Sequence, residues 1–359
     1  MQDLLKKLKE NNISISLENN NLKVRFNGTS LSADLLEELK ANKKRLIEYL
    51  SGLGKQGLYM KIEPVAKAND YPLSSSQFRL WLLSRLTDSN VAYNMPGMYV
   101  FEGDLNRNAL EYAFNELIVR HEILRTVFRE DGQGQVRQFI ISPDNTGFKI
   151  EHIDVRQEED KEECIRQLAR EKCGQSFDLV TWPLMRASLF WVEDKKWLFT
   201  YVMHHIISDG WSMHILLQEL LLLYNAFSKG QEATLPPLRI QYKDYAAWQQ
   251  AQLLGTEVKQ HKAWWLKQFE GELPVLQLQG HYVRPPVKTF NGDAIRTVIN
   301  LEAGAALKAL AYEQGSTLFM GLLASVAVLL YAYSGQEDII IGTPILGREH
   351  IDLENQIGF

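Results

Sequence analysis

MHHIISDGWSM, residues 203–213, is the stretch on which the reading of the chain turns. Before it, residues 197–202 read WLFTYV, an apolar, β-branched and aromatic run that predicts a buried strand. After it, Ile215, Leu216, Leu220 and Leu223 recur at helical spacing. Two adjacent histidines, an aspartate and a glycine therefore sit on a tight turn between two rigid elements. Such a turn holds polar side chains in place for binding or catalysis.

Adjacent residues on a strand point to opposite faces. One of His204 and His205 is therefore expected to be buried and the other to face a cavity. Imidazole is the side chain that exchanges a proton near neutral pH. Asp209 either orients an imidazole or pairs with an arginine and holds the loop. Gly210 lets backbone approach a reacting group closely. A metal site is disfavoured, because no third His or Cys lies at a supporting spacing and adjacent histidines diverge. No Gly-x-Ser-x-Gly elbow is present, which argues against a serine hydrolase. His121 reads as a structural residue at a helix end, and His152, His214, His261, His281 and His350 carry no assigned role.

The 359 residues suffice for two or three domains. A net charge of −5 gives no basic stripe for nucleic acid and no cationic face for a membrane. Two cysteines, Cys164 and Cys173, are too few for a disulfide framework, so a reducing cytoplasm is expected. The N-terminus MQDLLKKLKENN has no apolar signal core. The longest apolar run, residues 318–333, is short of the roughly 20 residues of a membrane span and predicts a buried helix. Gly54-Lys55 is not a phosphate loop, because no glycine stands five residues earlier.

Residues 1–50 form a unit of their own. Leu4, Leu5 and Leu8 predict a short helix. Ile13, Ile15 and Leu17 alternate with serines in one strand, and Leu22, Val24 and Phe26 alternate with Lys23 and Arg25 in a second. The turn is at residues 18–21, and Asn27-Gly28-Thr29-Ser30 ends the hairpin. Ser30 or Ser32 caps a helix with Leu35, Leu36 and Leu39 inside, and a last helix holds Leu46, Ile47 and Leu50. So small a core favours self-association or packing on a neighbour. The hairpin leaves strand edges for an added peptide strand. Lys23 and Arg25 are either a solvated face or a docking surface for an acidic tail. Residues 51–70 read as a linker.

From Tyr71 a larger region mixes elements without a βαβ rhythm, which predicts an α+β fold. Helices are expected over residues 77–86 with Trp81 and Leu82 inside, over 105–121 with Leu110, Phe114 and Leu117 inside, and over 158–173. Strands are expected over 98–101, at Val127 and Phe128, and over 136–141, 185–192 and 197–202. Pro236-Pro237 breaks the chain. A tryptophan-rich helical stretch through Trp248, Trp264 and Trp265 follows, then an irregular segment over 273–289. Residues 294–301 and 338–341 predict strands, and 303–313 and 318–334 predict helices.

HHIISDGW resembles the His-His-x-x-x-Asp-Gly motif of the condensation domains of nonribosomal peptide synthetases. YPLSSSQFRLWLL (71–83), RHEILRTVF (120–128), Phe177-Asp178-Leu179 with Pro183-Leu184-Met185-Arg186, QYKDYAAWQ (241–249), GTPILGRE (342–349) and Ile357-Gly358-Phe359 look like further signatures of that family, in order. Residues 1–50 resemble the N-terminal docking domains of tubulysin-type synthetases.

The resemblance implies a chloramphenicol-acetyltransferase-like, two-lobed V-shaped domain. It implies amide formation between a carrier-bound acyl or peptidyl thioester and the amine of a carrier-bound aminoacyl acceptor. Both would arrive on phosphopantetheine arms of upstream and downstream carrier proteins, with no cofactor or metal held by the chain itself. By resemblance His205 is the base or positioner, His204 is structural, and Asp209 is a loop anchor whose partner is Arg79, with Gly210 and Trp211 completing the loop. Aspartate in place of the histidines would indicate heterocyclisation, and Trp211-Ser212 looks more like condensation than epimerisation domains. The docking unit would bind the C-terminal peptide of an upstream synthetase through Lys23 and Arg25, with a homodimer as one possibility.

The expected organisation is a docking domain (1–52), a linker (53–70), an N-lobe with the motif (71–245) and a partial C-lobe (246–359). Family members continue well beyond Phe359, with more of the second lobe, so a fragment is expected. The alternatives are a scaffold that binds an upstream tail without chemistry, and a related acyltransferase acting on soluble substrates.

Overall fold

The computed structural model describes residues 13–18, 21–26, 33–47, 61–86, 90–233, 235–278, 280, 292–348 and 350–359. The chain divides into two compact units, residues 1–62 and 63–359.

In the first unit β1 (Ile13–Glu18) and β2 (Asn21–Phe26) form an antiparallel hairpin with Ile15 opposite Val24. Lys23 is exposed, between the half-buried Leu22 and Val24. Helix α1 (Ala33–Ala41) buries Leu35 and Leu39, while Leu36, expected inside, is exposed. The helix expected around Leu4, Leu5 and Leu8, turn residues Asn19 and Asn20, the stop at 27–30, the Ser30 and Ser32 caps, Leu50 and the Arg25 side chain lie outside the described residues.

The second unit is mixed α+β. Its main sheet contains β4 (Asn94–Glu102), β7 (Glu151–Asp154), β8 (Met185–Glu193) and β9 (Lys196–His204), in the order β4-β9-β8-β7. Neighbours are antiparallel except β7 and β8, which are parallel. Between those two runs α4 (Lys161–Gly174), so one βαβ crossover sits in an otherwise antiparallel sheet. Four residues of β7, EHID, carry no strand signal of their own. A second sheet joins β3 (Tyr71–Pro72), β6 (Val136–Ile140) and β5 (Thr126–Glu130).

Helices α3 (Arg107–Arg120) and α5 (Gly210–Ser228) pack with the sheet into the core. The four apolar residues expected inside α5, Ile215, Leu216, Leu220 and Leu223, are all buried. Phe114 of α3 meets Phe199 of β9 with ring centroids 5.5 Å apart. α4 packs Ile165 and Leu168 on a separate cluster of Val155, Phe190 and Leu198. Strand β9, clad by these two clusters, therefore reads as a continuous apolar run. In helix α2 (Ser75–Leu86), Gln77 and Leu80 are buried, whereas Trp81 is half-buried and Leu82 exposed, because the helix turns a different face inward than expected.

α3 and α5 are also joined through polar groups. His121, at the C-terminal cap of α3, places Nε2 2.6 Å from Glu219 Oε2 on α5, and Arg120 Nε donates to the same carboxylate at 3.1 Å. Burial alone would push the Glu219 carboxyl up, but its hydrogen bond and charge interaction with His121, with Arg120 beside it, hold it below the usual carboxylate range. A depressed folded value contributes stability above the unfolded carboxylate range and loses it as pH falls through the folded value. The wild type should therefore unfold at lower urea concentration as pH falls, and Glu219→Gln should be less stable at neutral pH with a flatter acid dependence. An unchanged pH slope in that variant would contradict the role.

Several expectations differ from the structure. The linker ends earlier, because residues 63–70 are tied to the second unit. Val65 N–H donates to Asp244 Oδ1 at 2.9 Å, and Asp70 pairs with Arg137 at 2.6 Å. The boundary expected between residues 245 and 246 falls inside α6 (Tyr242–Leu253), which is capped by Gln241 and Asp244 and followed by α7 (Thr256–Gln268). Residues 294–300 and 338–341 are not strands. A strand needs a partner for its backbone groups, and neither segment pairs with another among the described residues; Ile295 is 98% exposed.

Helices α8 (Leu301–Glu313) and α9 (Leu318–Ser334) form as expected, but α9 is not buried. Its Gly321 lies against Leu307 and Ala311 of α8, while Phe319, Val328 and Tyr333 are exposed. Hydropathy records a preference for burial, not the presence of a neighbour. No single helix among the described residues is long and apolar enough to cross a membrane, and α8 and α9 are bent by 108° relative to each other.

Candidate active site

The motif sits where β9 ends and α5 begins. His204 is the last residue of β9, paired with Asn94 on β4. Asn94 Nδ2 donates to the carbonyls of Cys173 and Gln175 at 2.7 and 2.9 Å, tying the end of α4 to this strand end. The His204 ring is fully buried, packed near Tyr93 and Phe177. Its Nδ1 accepts the Ile206 N–H at 3.1 Å. Burial, with His205 next to it, pushes its imidazolium value down to about 3. His204 is thus neutral near pH 7, with its Nδ1 lone pair already used. It shapes the turn.

His205 points elsewhere and lines a cavity of about 1090 Å³. Its Nδ1 lies 2.7 Å from the Ser208 carbonyl oxygen. A carbonyl only accepts, so Nδ1 carries the proton. In the neutral ring, Nε2 then holds the lone pair. That is the state of a general base or of an acceptor that orients an N–H. The Phe359 ring stands against the imidazole, with centroids 4.3 Å apart.

Asp209 caps α5, its Oδ1 accepting from Ser212 N–H at 2.7 Å. Its partner is Arg348, not Arg79. Arg348 Nη2 donates to Oδ1 and Oδ2 at 3.0 and 3.1 Å, and Nε donates to Oδ2 at 3.2 Å. Arg79, on α2, is exposed and lines the same cavity without an ion pair to Asp209, whose oxygens Arg348 already occupies. The Arg348 side chain is 7% exposed, so its charge needs the carboxylate. Its Nη1 donates to the carbonyls of Leu353 and Gln356 at 2.7 and 2.5 Å, and Nη2 also lies 3.1 Å from the Gly358 carbonyl.

The same clamp holds the last described residues. Gly358 N–H donates to Ser212 Oγ at 3.0 Å, and Trp211 Nε1 donates to the Glu354 carbonyl at 2.9 Å. Tyr242 donates to the Phe359 carbonyl and lies 3.0 Å from Ser74 Oγ. Burial pushes the Tyr242 phenol up, so it stays a neutral donor. A Cβ on Gly358 would fall 1.9 Å from the Tyr242 ring, so this close approach requires glycine. Gln77, from the first signature, donates to the Ile206 carbonyl at 3.5 Å and braces the turn from beneath.

The turn thus brings together His204, His205, Asp209, Gly210 and Trp211. Sequence reasoning misses Arg348, Ser212, Tyr242 and Phe359 as working parts. Arg348 lies inside GTPILGRE, which is legible as a segment, but nothing in a spacing of 139 residues pairs it with Asp209. A second cavity of about 940 Å³, between α4 and the strands β4 and β9, contains none of the motif's residues. Among the described residues no three His, Cys, Asp or Glu side chains gather as a metal site.

An imidazole with Nδ1 committed to a backbone carbonyl, on a braced strand-to-helix turn at the wall of a large cavity, has the geometry to accept a proton from a bound group or to orient its N–H. The chain belongs to the condensation domain family, whose model matches residues 67–359, and the TubC N-terminal docking domain model matches residues 1–51. It is similar to a plipastatin synthase chain of Bacillus subtilis (strain 168), 43% identical over 305 residues, covering 85% of this chain and 11% of that protein. Gramicidin S synthase 2 of Aneurinibacillus migulanus is 39% identical over 313 residues, covering 87% of this chain and 7% of that protein. The chain spans 4–11% of the length of the curated relatives it matches.

Among solved structures it is similar to the X-domain from teicoplanin biosynthesis, with a TM-score of 0.74 and 27% identity over 83% of this chain and 65% of that one. That X-domain is also solved in complex with OxyB. The first condensation domain of the CDA synthetase shares the fold, with a TM-score of 0.67 and 20% identity over 81% of this chain and 69% of that one.

Proposed function

We propose that residues 63–359 catalyse amide-bond formation between two carrier-bound thioesters. The amine of the aminoacyl acceptor attacks the donor carbonyl, the C–N bond forms and the C–S bond breaks. His205 Nε2 accepts the amine proton or holds its N–H in line, and the departing thiolate leaves as a thiol once protonated. A neutral amine is a competent nucleophile, so placement and one proton acceptor are the main requirements. The observation that carries this reading is His205 at the cavity wall with Nδ1 committed to Ser208. The substrates would be delivered on phosphopantetheine arms of upstream and downstream carrier proteins in the cytoplasm.

The first unit would add the C-terminal peptide of an upstream synthetase to its hairpin edge, with Lys23 and Arg25 meeting the peptide's acidic groups. The same unit is where a homodimer would form. A scaffold that binds the upstream tail through the first unit while the second unit does no chemistry is the second reading, and the similar X-domain solved in complex with OxyB is the observation on its side.

Incubating the chain with a loaded donor carrier and a loaded acceptor carrier separates the two. Transfer of the acyl group to the acceptor carrier supports catalysis. Tail-peptide binding with no transfer supports the scaffold and overturns the first reading.

A further inference from the structure

We propose that Phe359 is a positioning residue for His205, holding the imidazole in the orientation that keeps Nδ1 on the Ser208 carbonyl and so leaves the lone pair on Nε2. This rests on the amide-forming role proposed above for His205. Among the described residues the imidazole has one hydrogen-bonded nitrogen, with Nδ1 donating to the Ser208 carbonyl at 2.7 Å. One such bond fixes a direction but leaves the ring free to swing about its side-chain torsions. The second restraint is the Phe359 ring, 4.3 Å away between centroids and inclined at 63°.

Phe359 is itself placed from two sides. Tyr242 donates to its carbonyl, and the preceding Gly358 is held by Ser212 Oγ at 3.0 Å and by Arg348 Nη2 at 3.1 Å. Ser212 and Arg348 are the groups that bind Asp209, in the same turn as His205. The clamp that fixes the loop therefore also delivers an aromatic ring to the imidazole. The contact is edge-to-face in kind and close, so the two rings cannot turn independently of each other.

Phe359→Leu keeps apolar volume and removes the aromatic face, and Phe359→Trp restores one. In the leucine variant kcat with saturating loaded carriers should fall about ten- to hundredfold, the scale of a misplaced catalytic group, with KM little changed. Phe359→Trp should recover most of the loss. A purely structural role would not move the second readout, the ¹⁵N signals of the His205 ring in the folded protein. In the wild type they should report a protonated Nδ1, and in Phe359→Leu a mixture of tautomers. Unchanged ring signals in the leucine variant overturn the proposal, whether or not the protein is less stable. The ring signals report on the contact independently of turnover, so an inactive wild type would refute the amide-forming role and leave this test standing.

Discussion

Asp209→Ala should cost the protein stability as well as turnover. The carboxylate caps α5 and neutralises a guanidinium that is almost completely buried. Removing one partner of such a pair leaves the other charge desolvated, which costs about 3–5 kcal/mol, and losing the cap adds about 1 kcal/mol. Three carbonyls still solvate Arg348, which sets the expectation near the lower end of that range. Guanidinium unfolding followed by circular dichroism should show a clear loss, with Arg348→Ala behaving alike. A variant as stable as the wild type but inactive would make Asp209 a participant in the chemistry instead of an anchor.

His205→Ala should do the reverse. Among the described residues its side chain makes one hydrogen bond, to a backbone carbonyl of its own turn, so its loss costs about 1 kcal/mol of stability. A positioned proton acceptor contributes about 10²–10⁴-fold to rate, and turnover should drop by that factor while unfolding stays near wild type. His204 cannot substitute, because burial holds it neutral and its lone pair accepts from Ile206.

What is legible in the sequence is mainly local. The strand-turn-helix around the motif, the buried faces of α3 and α5, and the burial of one of the two adjacent histidines follow from side-chain periods and from alternation along a strand, while only the resemblance says which histidine faces the cavity. The long-range pairings are not legible. Resemblance assigns Arg79 to Asp209, but the carboxylate belongs to Arg348, because only the folded path of residues 348–359 returns that segment to the N-terminus of α5. Residues 294–300 are rich in β-branched side chains, as strands are, yet pairing depends on a neighbour that no local pattern reveals. The run in α9 misleads in the same way, since an apolar sequence states what a helix prefers to bury and not what covers it.

The most direct test is a single-turnover measurement by intact mass of the acceptor carrier. Wild-type chain mixed with donor-loaded and acceptor-loaded carriers should shift the acceptor by the mass of the donor acyl group, and His205→Ala should leave it unshifted on the same timescale. Equal transfer by both proteins would remove His205 from the chemistry, and no transfer by the wild type would contradict the catalytic account.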